Sequence, residues 1–193
     1  KAVATRALKT APAAIPDDEP YRPRLIVTVD TEEAFDWNRF DAEAGWHVCD
    51  PSGIEQFQKV CEEAGAAPLY FLTQPMMEDE KSSSLFRKLH KHHKADFGLH
   101  LHQWVTPPGA YWGEFNSFQK NIPRKAQQKK LEKLARTYED LFGKTAVSHR
   151  AGRYGISKAC YELLAKNGVE YDFSPSTGFD FSQRGGPDFS AMS

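Results

Sequence analysis

The run Leu25-Ile26-Val27-Thr28-Val29 constrains this chain most, because it stops abruptly at a cluster of carboxylates, Asp30, Glu32, Glu33 and Asp36. A short, mostly β-branched stretch with no polar alternation reads as a strand buried on both faces, the type found in parallel sheets covered by helices. Ligands and chemistry in such sheets gather beyond the carboxyl ends of the strands. Asp30 and Glu32 are two residues apart, so continued strand geometry would aim both side chains the same way. Convergent carboxylates are costly without a cation or a shared proton between them. The strand end therefore calls for a metal or a catalytic task.

Downstream the pattern alternates regularly between strand and helix. A helix is predicted over residues 51–64, with Ile54, Phe57, Val60 and Cys61 on its inner face and Gly65 as its stop. Residues 69–73 follow as a strand, 82–93 as a basic helix with Leu85, Phe86 and Leu89 inward, and 96–101 as a third strand. A long aromatic loop over 103–122 leads to a strong helix opened by Pro123, with Leu131, Leu134, Ala135, Tyr138, Leu141 and Phe142 inward and Gly143 as its stop. Residues 146–149 form a fourth strand, Ser157 caps a helix closed by Gly168, and 169–173 form a fifth strand. This β-α repeat predicts a parallel α/β fold. Residues 1–23, interrupted by Pro12, Pro16, Pro20 and Pro23, read as an arm or linker. After the fifth strand only a Gly/Pro/Ser-rich tail, 175–193, remains, so a barrel built on this pattern is predicted not to close within the chain.

Composition narrows the function. A net charge of −1 offers no basic surplus for nucleic-acid binding. No apolar run approaches the ~20 residues of a membrane-spanning helix. Cys49, Cys61 and Cys160 have neither zinc-ribbon nor disulfide-framework spacing and fit a reducing, cytoplasmic compartment.

The polar residues that stand out lie at strand ends. His100 and His102 end the third strand and share its parity, Arg150 ends the fourth, and Asp172 and Ser174 end the fifth. A carboxylate with two imidazoles leaves positions for water on a divalent metal such as zinc, and a neighbouring arginine would hold a second carboxylate ionised as a general base must be. A His-x-His pair alone equally suits a satisfied structural pair; its coincidence with Asp-x-Glu and Arg at other strand ends leaves both readings standing. His90, His92 and His93 read as a solvated basic helix face. Trp37, Trp46, Trp104, Tyr111, Trp112, Phe115 and Phe118 fall in loops, where they suit either a sugar-stacking surface or packing of the loop itself.

The order Thr28-Val-Asp30-Thr-Glu32, Gly98-Leu-His100-Leu-His102, Arg150-Ala-Gly-Arg-Tyr154 and Asp172-Phe-Ser174 resembles the polysaccharide deacetylase superfamily, with its NodB homology domain. The phrases over 28–37, 102–108 and 150–155, with Asn116-Ser117-Phe118 and residues 186–190, are similar to its WalW-like branch, associated with bacterial surface-polysaccharide biosynthesis. The resemblance covers residues 25 to 190. It implies a distorted (β/α)7 barrel, over 24–193 and incomplete here, that removes an N- or O-acetyl group from a glycan with a divalent metal, zinc foremost. It implies Asp30 as base paired with Arg150, Glu32, His102 and His100 as metal ligands, and a backbone N–H near Tyr154 for the oxyanion, with Trp104 and Asp172 on the substrate side. The chain departs from the family in its His-x-His spacing, in Arg-Ala-Gly-Arg-Tyr for Arg-x-Pro-Tyr, and in lacking the late Leu-x-His motif of the general acid. Two other functions fit the same residues: a catalytically silent barrel that binds polysaccharide or assists assembly, and hydrolysis of a non-sugar C–N bond.

Overall fold

The computed structural model describes residues 25–41, 43–109 and 111–192; the proline-rich arm lies outside them. The elements are β1 (Thr28–Thr31), β2 (Ala34–Phe35), β3 (Trp46–His47), α1 (Ser52–Glu63), β4 (Leu69–Leu72), α2 (Gln74–Glu78), α3 (Glu80–Lys91), β5 (Asp96–Leu101), α4 (Arg124–Phe142), β6 (Ser148–Ala151), α5 (Lys158–Lys166) and β7 (Tyr171–Asp172). Five strands form one sheet in the order β1-β4-β5-β6-β7, every neighbouring pair parallel. The expected α/β alternation is therefore present. Among the described residues β1 and β7 are the two edges of the sheet rather than a closed pair.

Register sorts the side chains onto two faces. Leu99 stands opposite His149, and Leu101 opposite Ala151, in the pairing of β5 with β6. Leu99, Leu101 and Ala151 belong to the buried cluster that also holds Leu131, Leu134 and Tyr138 of α4 and Leu163 of α5. Alternation then places His100 and Arg150, which pair with each other, on the opposite face. Gly98 lies on that inner face because space demands it: a Cβ there would meet the Phe71 ring at 2.8 Å and the Ser148 hydroxyl at 2.5 Å. The Phe71 ring fills the gap and lies 4.6 Å beneath the Arg150 guanidinium.

Helix ends follow local chemistry. The Asp79 carboxylate accepts from the Ser82 N–H at 2.9 Å to cap α3. Gly143 ends α4 in the left-handed region, at φ 68°. Pro123 is the residue before the first turn of α4 rather than inside it. Ser157 precedes α5 as expected but makes no side-chain cap.

Three expectations are corrected. The first strand runs over Thr28–Thr31 rather than 25–29, and Leu25 and Ile26, which precede it, are exposed; among the described residues β1 is an edge of the sheet. The inner face of α1 is Ile54, Gln58 and Cys61, while Phe57 and Val60 face outward. Gln58 is drawn inward by the Tyr70 hydroxyl, which donates to it at 2.9 Å, and by the Lys94 carbonyl, which accepts from it at 3.1 Å. His90 also leaves its expected solvated face; its ring packs 5.1 Å from Phe142, and burial pushes its pKa down. No helix among the described residues is long and apolar enough to cross a membrane.

Candidate active site

The inner face ends in a cavity of about 670 Å³, whose lining includes Asp30, Glu32, His100, His102, Arg153 and Tyr154. Strand β1 ends at Thr31, so Glu32 and Glu33 lie past the strict alternation. Glu32 turns to the cavity. Glu33 turns behind His102 and is fully enclosed.

Three donor atoms meet there: His100 Nε2 to Glu32 Oε2 is 3.2 Å, His102 Nε2 to the same oxygen 3.1 Å, and the two Nε2 atoms are 3.1 Å apart. A triangle of that edge has its corners about 1.8 Å from its centre, so bonds of about 2.1 Å from all three atoms meet at one point just off their plane. Each imidazole is turned for ligation by its other nitrogen. His100 Nδ1 donates to the Arg150 carbonyl at 2.9 Å, and His102 Nδ1 donates to Glu33 Oε1 at 2.7 Å. With both Nδ1 protons so placed, the neutral rings aim their Nε2 lone pairs at one another and at a carboxylate. That arrangement is repulsive unless a cation occupies its centre, so the residues fit a divalent metal.

The titration of these groups points the same way. Burial disfavours charge on Glu32, but hydrogen bonds and positive charge from His100 and His102 outweigh it and hold the carboxyl far below its ordinary range. Glu33 is likewise buried, and its pKa is lowered by His102. Burial alone would depress His102; the Glu33 and Glu32 carboxylates reverse that and raise it to about 9. A proton therefore serves as the cation when no metal is bound.

Asp30 and Arg150 form the second unit. Arg150 Nη1 donates to Asp30 Oδ1 at 2.6 Å, Nη2 to the Thr28 hydroxyl at 2.9 Å and Nε to the Phe173 carbonyl at 3.2 Å. Two partners on β1 and one just past β7 hold the guanidinium in one orientation, which in turn fixes the Asp30 carboxylate in place.

The wall opposite is strained. Arg153 and Tyr154 both lie in the left-handed region, at φ 53° and 57°, a conformation costing about 1–3 kcal/mol per non-glycine residue. Arg153 is held there by the Ser117 hydroxyl at 2.5 Å and Glu114 at 3.1 Å, between the rings of Phe40 (4.7 Å) and Phe118 (4.3 Å). Gly152 precedes them because a Cβ would meet the His102 ring at 2.6 Å. The turn thus sets the Tyr154 ring and backbone at the cavity edge.

Six of the residues singled out from sequence converge here: Asp30, Glu32, His100, His102, Arg150 and Tyr154. Two do not. Trp104 is buried and stacks on the His102 ring at 4.3 Å, so it backs a candidate ligand rather than facing the cavity. Asp172 pairs in register with His149 on the helix face, where its carboxylate accepts from His149 Nδ1 at 2.9 Å and from the Ser174 hydroxyl at 2.7 Å. Strand parity carries it away from the cavity. Sequence reasoning passed over Glu33, though it adjoins Glu32, and also Arg153, Asp180, Gln183 and Arg184. The last three come from the tail, which brings Phe181 against Tyr154 at 5.8 Å. Lys130 was missed as well: its buried amine donates to the Thr106 and Gly109 carbonyls and so ties the loop carrying Trp104 to α4, and burial pushes its pKa down to about 8.

No family model matches the chain, and no curated protein matches it significantly in sequence. Solved structures do match in fold. The peptidoglycan deacetylase PdaC of Bacillus subtilis, solved as a point mutant, is similar over 82% of this chain and 62% of its own, at 12% identity and TM-score 0.51. A candidate polysaccharide deacetylase of Mycobacterium smegmatis matches 62% of this chain and 37% of its own, at 16% identity and TM-score 0.47. IcaB of Ammonifex degensii matches 62% and 53%, at 14% identity and TM-score 0.48. The chain thus spans less than two thirds of each of these proteins, and at 12% identity the likeness to PdaC is one of fold. The α/β fold with its parallel sheet, expected from the sequence, is similar to that of the peptidoglycan deacetylase PdaC.

Proposed function

We propose that this protein is a metal-dependent hydrolase that removes an acetyl group from a glycan. The observation that supports it most is the triangle of Glu32, His100 and His102 donor atoms, all within 4.8 Å of one another, beside an Asp30 carboxylate held by Arg150. Glu32, His100 and His102 would hold the ion, and a two-histidine, one-carboxylate set with open positions suits zinc. A divalent ion there supplies Lewis-acid polarisation of a carbonyl and acidifies water. Asp30 takes the proton from the attacking water, its charge kept in place by Arg150. The backbone N–H at Tyr154 donates to the oxygen on which negative charge develops, and the strained turn fixes it in advance. Arg153, packed between two aromatic rings, positions that turn. The resemblance of residues 28–37 and 150–155 to the WalW-like branch supports a substrate among bacterial surface polysaccharides or their precursors, and the free thiols support work in the cytoplasm.

The test is metal content together with acetate release from an acetylated oligosaccharide, with and without His102→Ala. About one divalent ion per chain and acetate production, both lost in the variant, are expected. A chain that holds no divalent ion under any loading condition overturns the reading. Glycan binding without acetate points to a silent barrel, and ammonia in place of acetate to a non-sugar C–N bond.

A further inference from the structure

We propose that Lys130 is a positioning residue for the metal site: its amine fixes the turn that carries His102 and so holds that imidazole on the cluster with Glu32 and His100. The proposal rests on the metal-binding part of the reading above. It adds a residue of α4 that does not itself line the cavity.

Lys130 is fully buried, and a lysine is almost never so placed without a carboxylate to pair with. Among the described residues its amine meets only neutral partners: the Thr106 and Gly109 carbonyls, which accept from it, and the Tyr111 ring at 5.9 Å. Burial pushes its pKa down to about 8, and no neighbouring charge raises it. A methionine of similar length would fill the same space without that desolvation cost. Packing of α4 therefore leaves the amine unexplained. What the amine reaches explains it.

His102 heads the turn that Lys130 holds. Its carbonyl accepts from the Val105 N–H at 3.3 Å and from the Thr106 N–H at 3.0 Å, and the Thr106 carbonyl in turn accepts from Lys130. A single turn of chain thus separates the candidate ligand from the lysine. Within that turn Trp104 lies on the His102 ring, with centroids 4.3 Å and planes 28° apart. Phe35, Trp37 and Phe40 surround Trp104 at 5.3, 5.7 and 5.9 Å, but Trp37 itself stays 45% exposed. The aromatic cluster therefore leads outward to solvent, whereas Lys130 ties the same turn to a core helix. Glu33 fixes how the His102 ring is rotated; the turn fixes where the ring stands. Metal bonds tolerate only about 0.2 Å of drift, so a loosened turn costs affinity even with Glu33 in place.

The test compares Lys130→Met with Tyr138→Phe. The second variant removes another buried bond of α4, from the Tyr138 hydroxyl to the Phe97 carbonyl at 3.0 Å, which lies on β5 rather than on the loop. Zinc affinity comes from competition with a chelator, ligand geometry from the visible spectrum of the cobalt-loaded protein, and stability from urea unfolding. Both variants should unfold at lower urea than the parent. Lys130→Met should also weaken zinc about tenfold and shift the cobalt bands. Tyr138→Phe should leave affinity within about twofold and the bands in place. Zinc affinity within about twofold of the parent in Lys130→Met, or an unchanged cobalt spectrum, overturns the proposal, as does an equal loss in both variants. Lys130→Gln, whose amide can still donate, replaces the Met variant if that one does not fold. Failure of both to fold makes the lysine a structural residue and overturns the proposal too. A parent that binds no zinc overturns the metal reading itself, and this proposal with it.

Discussion

Two histidine–carboxylate pairs lie on opposite faces of the same sheet. On the inner face His102 donates through Nδ1 to the enclosed Glu33 at 2.7 Å, and its Nε2 meets His100 and Glu32 at 3.1 Å. On the helix face His149 donates through Nδ1 to Asp172 at 2.9 Å, and its Nε2 has no described partner. Both rings are fully buried. The difference is what converges on the second nitrogen. His102 points at other ligand atoms and an open cavity, whereas His149 is enclosed between strand and helix with a single carboxylate. A carboxylate-oriented imidazole becomes a metal ligand only where further donors share its free nitrogen.

The largest expected effect comes from Asp30→Asn. If Asp30 is the base, kcat falls by about 10²–10⁴ while bound zinc stays near its original amount. Loss of zinc along with activity would merge the two units into one. Glu33→Gln comes next. The amide still bonds His102 but no longer supports it with charge, so zinc affinity measured by competition with a chelator should weaken about 10–100-fold. The equivalent change on the other face, Asp172→Asn, should leave zinc affinity unchanged, and an equal loss in both would erase the contrast between the pairs.

Proton competition sharpens it further. His102 titrates near 9 without metal, so zinc must displace a proton below that pH. Affinity should rise about tenfold per pH unit up to roughly 9 and then level, seen by isothermal titration across pH. The stability of the metal-free protein should move the other way. A folded pKa above the ordinary 6.5 stabilises fully below 6.5, and that contribution is lost as pH rises from there through about 9. Glu32, depressed in the fold, loses its contribution instead as pH falls through its folded value, well into acid. The smallest effect is that of Asp172→Asn on stability, about 1–3 kcal/mol by urea unfolding, with kcat/KM within about twofold of the parent. A collapse of activity there would show that the helix-face pair supports the site after all.

Much of the site was legible because strands advertise it. Asp30, His100 and Arg150 sit at or near the ends of apolar runs, and in a parallel sheet those ends are adjacent in space. Asp172 lies apart from the residues that converge: strand position was readable from the sequence but face was not. The short β7 has no alternating pattern to reveal its parity, and only its pairing with His149 decides it. Trp104 misled because a loop aromatic can line a cleft or back a ligand with the same sequence signature. Arg184 and Phe181 escaped because a Gly/Pro/Ser-rich tail has no periodicity, yet it folds back to wall the cavity.

The sequence by itself determined the alternation of strands and helices, the clustering of carboxylates, imidazoles and an arginine at strand ends, and the near-neutral charge. These follow from local rules of periodicity and termination that act over a few residues. The tertiary structure decided that Glu32 rather than Glu33 faces the cavity, that Glu33 orients His102, and that Trp37 stays open while Trp104 is covered. Such outcomes depend on which side of a chain meets another chain distant in sequence. They are set by register across the sheet and by the space left between packed rings.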